Sequence, residues 1–142
     1  MDTTELSSLL RGIISALHKG LRKQTSAVST YSMTEVDTIG HLFRFTSLLP
    51  TELAALTKIK TQSMSHILNK MEQQGVIKRT PSRQDKRKVL ISLTSFGKKI
   101  VEKTKYEKDE WLRGIIEKSL TDKEKELLMR ALPVLNKLSE TK

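Results

Sequence analysis

Gln62, Ser65, His66 and Asn69 are spaced so that two amides, a hydroxyl and an imidazole share one face of a helix. Thr61, Ser63 and Lys70 stand beside them. These groups hydrogen-bond and carry almost no negative charge, so they can present donors and acceptors to base edges in a major groove. Gln and Asn can pair bidentately with adenine. Shortly after, the run from Lys78 to Lys88 holds six basic residues and one acid, with Arg79, Arg83, Lys86, Arg87 and Lys88 among the cations. A cationic loop can neutralise phosphates or enter a neighbouring minor groove. Either piece alone reads most plainly as a solvated face or turn. Their adjacency favours nucleic acid.

Asp85, the acid in that run, would repel phosphate. Its expected role is intramolecular: an ion pair or loop cap that shapes the wing and aims Arg87. The Arg87 guanidinium is planar and permanently charged, which suits a narrow minor groove. The plainer alternative is an exposed Asp–Arg pair without function.

The elements that must position these groups follow from periodicity. Met64, Ile67, Leu68 and Met71 give the inward stripe of a helix from Thr61, closed by Gly75. Two β-prone runs follow, Val76–Thr80 and Val89–Leu93, around a polar loop opened by Pro81. Upstream, a short helix from Glu52 to Thr57 has Thr51 as its expected N-cap, with Leu53, Ala54 and Leu56 facing inward. Two short helices joined by a tight turn make a helix-turn-helix, and the hairpin makes it winged. Before it, Ser47-Leu48-Leu49 is a candidate small strand. A helix over about residues 34–46 is expected to start at a Thr34–Asp37 capping box and to bury Val36, Ile39, Gly40 and Phe43.

Long helices flank this unit. Leu6 to Val28 repeat with helical spacing over about residues 4–29, a length of nearly 40 Å at about 1.5 Å per residue. A second long helix is expected from about residue 95 to Glu117. Thr121-Asp122-Lys123-Glu124 is a capping box for a last helix, in which Pro133 should produce a kink. The expected fold class is mainly α with a small β-hairpin wing. A winged helix-turn-helix over about residues 34–94 lies between dimerisation helices over about 4–29 and 95–140, all in one domain.

The chain has 142 residues, a formal net charge of +10 and a pI of about 9.9. That balance favours polyanionic partners, nucleic acid before acidic membrane. No apolar run is long enough to span a bilayer, and the acidic N-terminus lacks a signal-peptide pattern, so a cytoplasmic place is expected. The absence of cysteine excludes disulfides, thiolate metal sites and thiol-based sensing. Scattered single glycines give no phosphate-binding loop, and nothing points to an enzyme or a cofactor.

Asp85-Lys86-Arg87, followed by Val89-Leu90-Ile91-Ser92-Leu93-Thr94 and Gly97, resembles the D-x-R-x5-L-T-x2-G wing signature of the MarR-type bacterial transcription regulators. Leu53-Ala54, Ile59, Met64-Ser65, Glu72, Gly75 and Arg79 fall where that family places its helix-turn-helix residues. The resemblance implies a winged-helix homodimer with its terminal helices packed across the two-fold axis. It also implies recognition helices in successive major grooves of a pseudo-palindromic double-stranded DNA operator. Repression, often relieved by a small aromatic or phenolic effector, is the implied activity, and activation is known in the family.

Two weaker sites complete the survey. Tyr31, Met33, Phe43 and Trp111 are candidates for lining an effector pocket, although aromatic and Met residues at helical spacing more often fill cores. Asp37 and His41 could share a metal, but a solvent-facing histidine is the plainer reading, so no metal is assigned. A basic architectural DNA- or RNA-binding protein without sequence preference is the alternative function. A winged helix used only for protein contact has no need of so cationic a hairpin.

Overall fold

The computed structural model describes residues 1–141. The elements are α1 (Thr3–Lys23), α2 (Ala27–Thr30), α3 (Met33–Phe45), β1 (Ser47–Leu48), α4 (Pro50–Thr57), α5 (Thr61–Gln73), β2 (Ile77–Pro81), β3 (Val89–Leu93), α6 (Ser95–Ser119) and α7 (Asp122–Glu140). The fold is mainly helical with a hairpin wing, as its periodicities predict. The sheet order is β1-β3-β2, antiparallel throughout, with Leu48 and Arg79 both opposite Ile91 on the central strand.

Helix starts and stops differ from the sequence reading where local hydrogen bonds compete. The first helix does not reach Ser29. It ends at Lys23, and the Thr25 hydroxyl donates to the Arg22 carbonyl. Glu107 of α6 accepts from the Ser26 N–H at 3.1 Å and the Ser26 hydroxyl at 3.0 Å, which pins the turn before α2. Short polar side chains offer the backbone such alternatives to helix. The α3 cap is Ser32, two residues before the expected Thr34. The Ser32 hydroxyl accepts from the Glu35 N–H, and the Glu35 carboxylate accepts from the Ser32 N–H, both at 3.1 Å. Glu closes a capping box better than the shorter Asp37 would. Helix α4 starts at Pro50, not after Thr51. Proline suits the first helical position, and Glu52 accepts from the Leu49 N–H at 2.8 Å. The Thr121–Glu124 box forms as expected, and α7 continues as helix through Pro133.

One core cluster holds the centre: Leu42, Leu53, Met64, Leu68, Met71, Val76, Ile77 and Ile91 are its most deeply buried members. Each such side chain stabilises the fold by about 1.5–3 kcal/mol relative to exposure. On α3 the buried face is Glu35, Thr38, Ile39 and Leu42. Gly40 and Phe43, expected there, are exposed, because the stripe through Glu35, Ile39 and Leu42 leaves Gly40 on the far side and Phe43 at its flank. Leu56 also faces out. Among the described residues, α1 and α7 contribute nothing to the buried core.

The end of the hairpin explains two residues of the wing signature. The Thr94 N–H donates to the Val76 carbonyl at 3.0 Å, and its hydroxyl accepts from the Gly97 N–H at 3.0 Å, capping α6. A side chain at position 97 would collide with the Val76 carbonyl, so only glycine fits. Gly75, after α5, takes a φ of +75°, where L side chains are disfavoured.

Candidate nucleic-acid interface

Helix α4 ends at Lys58 in the left-handed region, and the chain turns directly into α5. Met64, Leu68 and Met71 fix α5 by burial in the core. The same rotation leaves Thr61, Gln62, Ser63, Ser65, His66, Asn69 and Lys70 exposed, as the sequence predicts. Gln62, Ser65 and His66 take no part in the side-chain hydrogen bonds found among the described residues. Lys70 is committed elsewhere: its ammonium lies 3.2 Å from the Glu35 carboxylate on α3. The Glu35 side chain is only 3% exposed. Burial pushes its pKa up, but the Ser32 N–H, the Lys70 ammonium and the Ser32 hydroxyl outweigh burial and hold it below the ordinary value. Lys70 therefore ties the recognition helix to the start of α3.

The wing loop is closed by the Ser82 N–H donating to the Lys88 carbonyl and the Lys88 N–H donating to the Asp85 carbonyl, each at 2.9 Å. Asp85 Oδ1 accepts from the Arg87 N–H at 3.0 Å and from Arg87 Nε at 3.1 Å, while Oδ2 accepts from Nη2 at 3.2 Å. Asp85 is thus loop cap and ion-pair partner at once. The Arg87 guanidinium and N–H hold its pKa below the usual carboxylate value. The Arg87 side chain stays 91% exposed, at the tip. Lys78, Arg83, Lys86 and Lys88 form no ion pair among the described residues, so their charge is available to phosphate. Arg79 differs. Strand alternation places it on the same side of β2 as buried Ile77, against α5. There its Nε donates to Glu72 at 3.1 Å and its Nη2 to Asn69 Oδ1 at 2.8 Å. Sequence spacing grouped Arg79 with the wing tip; the strand pleat sends it to the recognition helix.

The four candidate pocket residues do not share a cavity. Tyr31 lines a groove of about 280 Å³ with Phe96, Lys99, Ile100 and Lys103. Phe43 borders a separate groove of about 310 Å³ and lies 4.6 Å beneath the Lys105 ammonium. Trp111 packs against Gly20 where α1 crosses α6, and Met33 is exposed. Sequence spacing does not single out Phe96, Lys99 or Lys103 as pocket residues; only the fold brings them beside Tyr31. Asp37, weighed with His41 as a metal pair, faces Arg22 at 3.9 Å.

Residues 30–88 match the family model described as MarR family. No curated protein sequence matches the chain. Solved structures do. A protein described as a transcriptional regulator from Pseudomonas aeruginosa is 25% identical, with a TM-score of 0.80 over 98% of this chain and 97% of that one. A transcriptional regulator from Thermotoga maritima is 17% identical, with a TM-score of 0.82 over 99% and 100%. A MepR mutant from S. aureus, bound to an oligodeoxyribonucleotide, is 22% identical, with a TM-score of 0.69 over 95% and 98%. The matched segment contains both the polar face of α5 and the wing through Lys88. Residues 30–88, the winged helix-turn-helix, are thus similar to the MarR family model, and the chain as a whole has the fold of these solved structures.

Proposed function

We propose that the chain is a sequence-specific regulator that binds double-stranded DNA in the cytoplasm as a homodimer and represses until a small-molecule effector releases it. The observation that carries this reading is the juxtaposition of an exposed, hydrogen-bonding face on α5 with a cationic wing fixed to the same core. The oligonucleotide bound to the structurally similar MepR mutant supports the same use of the fold.

In this mechanism α5 enters a major groove. Thr61, Gln62, Ser63, Ser65 and His66 meet bases, and Arg83, Lys86, Arg87 and Lys88 meet phosphates or the minor groove. The exposed stripes of α1 and α7 pair with a second copy, so residues of about 4–29 and 95–140 serve dimerisation and about 34–94 serve DNA. A two-fold dimer sets recognition helices about one DNA turn apart and calls for a pseudo-palindromic operator. The groove beside Tyr31, with Lys99 and Lys103 at its edge, suits a small aromatic acid better than a pocket joining Met33, Phe43 and Trp111. Selecting bound sequences from a random duplex pool tests the function. Enrichment of a palindrome with half-sites about 10 base pairs apart is expected. Uniform binding without enrichment would establish an architectural protein instead.

A further inference from the structure

Of Gln62, Ser65, His66 and Asn69, it is Asn69 whose side chain is already engaged, through its carbonyl. Its partner, Arg79, is only 29% exposed and is itself held by Glu72, one turn along the same helix. A guanidinium has donors and no acceptor. The Asn69 group that meets it must therefore be the carbonyl, and the amide orientation is fixed by chemistry. Oδ1 points to Arg79 at 2.8 Å, and the NH2 group is turned away from it. Bidentate pairing with adenine needs both ends of an amide, one to accept from N6 and one to donate to N7. Gln62 keeps both ends available. Asn69 does not.

We propose that Arg79 makes Asn69 a donor-only reader, so that its base is one presenting acceptors in the major groove, guanine through O6 and N7 or thymine through O4, and not adenine. This rests on the reading of the chain as a sequence-specific DNA-binding protein. Arg79 is then a positioning residue. It sets which half of an amide the DNA meets and leaves phosphate contact to the other wing cations.

Selection from a random duplex pool with the full-length protein and three variants tests the assignment. Asn69→Ala should relax one position per half-site, and the wild type should prefer guanine or thymine there by roughly five- to hundredfold. Asn69→Asp turns the outward atom into an acceptor, so preference at that position should move to cytosine, whose N4 donates. Arg79→Met frees the amide to rotate, and adenine should become acceptable at the same position. A wild-type preference for adenine there, or identical sites for wild type and Asn69→Asp, would overturn the inference while leaving sequence-specific binding intact. Wild-type protein that enriches no sequence would overturn both. Should Arg79→Met fail to fold, the Asn69→Asp result decides alone, since that change keeps size and shape.

Discussion

The winged-helix segment and the terminal helices use the same residue pattern to opposite ends. Apolar stripes at helical spacing occur in α5 and in α1 and α7. In α5 the stripe is Met64, Leu68 and Met71, with essentially no exposure. In α1 it is Leu6, Leu9, Ile13, Ile14 and Leu17, and in α7 Leu127, Leu132, Leu135 and Leu138, all substantially exposed. The first region closes its own core within one chain. The second leaves its stripe open to solvent, and contiguous apolar patches of that kind mark association surfaces. On the proposed function, shape for DNA and pairing for two half-sites are carried by separate parts of the chain.

The largest effect should come from charging the open stripes. Ile13→Glu combined with Leu132→Glu should give a monomer by sedimentation at micromolar concentration, with helicity by circular dichroism close to wild type. Operator affinity should fall roughly 10²- to 10⁴-fold, the loss expected when two linked contacts become one. A dimer that persists in the double variant would break the comparison. Loss of helicity together with dimerisation would show that the winged helix is not self-sufficient.

The winged helix was legible because independent signals coincide there: the inward stripe of α5, Gly75 after it, β-prone runs and the wing signature. Boundaries were less legible where two caps competed. Thr34–Asp37 and Ser32–Glu35 both fit a capping pattern, and only the longer carboxylate reaches back to its N-cap N–H. The break after Lys23 was hidden because Val28 continues the apolar spacing. What stops the helix is the pairing of Ser26 with Glu107, 81 residues away. At the candidate site, the exposed face and the Asp85–Arg87 pair could be read from spacing. The Asn69–Arg79 and Lys70–Glu35 bonds could not, because each joins elements whose relative placement is tertiary.

Glu35 sharpens the comparison from inside the self-contained region. It caps α3 and holds Lys70 of α5, so Glu35→Ala should lower stability by about 1–3 kcal/mol in urea unfolding, through the lost cap and the lost charged partner. The sign with pH follows from its lowered pKa. Its contribution is present above the ordinary value of 4.5 and is lost as pH falls below 4.5 through the folded-state value. Wild-type stability should therefore fall more steeply than that of Glu35→Gln in that window. Parallel pH profiles would show that Glu35 contributes no titrating interaction. Dimerisation of Glu35→Gln near neutral pH should match wild type.

Arg87→Ala should leave both stability and oligomeric state unchanged, because its side chain is exposed and its hydrogen bonds among the described residues go to Asp85. Operator affinity should fall roughly five- to hundredfold, with a salt dependence shallower by about one unit per subunit if a phosphate contact is lost. Arg87→Lys should recover part, since charge returns without the planar fork. Unchanged affinity for Arg87→Ala in fluorescence anisotropy would reduce the tip to a solvated turn.

The smallest effect, and the most discriminating in sign, belongs to Asp85. Removing an acid from a cationic wing makes the protein more positive, and charge counting alone predicts tighter binding. The structure argues the reverse. Asp85 accepts the Arg87 N–H, the Arg87 Nε and the Arg87 Nη2, while its own carbonyl accepts the Lys88 N–H. Without the carboxylate, Arg87 loses the partner of its N–H and guanidinium, and the Lys88 N–H on the Asp85 backbone carbonyl is left to hold the turn. The entropy of fixing that loop is then charged to DNA binding. Asp85→Ala should weaken operator binding by about a few-fold, in a dimer of unchanged stability. Asp85→Asn should recover part of the loss, because its amide oxygen still accepts the Arg87 N–H. Since Arg87 holds the Asp85 pKa below its ordinary value of 3.8, the device should work unchanged from pH 5 to 8. Anisotropy titrations on one operator duplex decide the matter. Tighter binding by Asp85→Ala than by wild type would mean that charge, and not loop order, governs the wing.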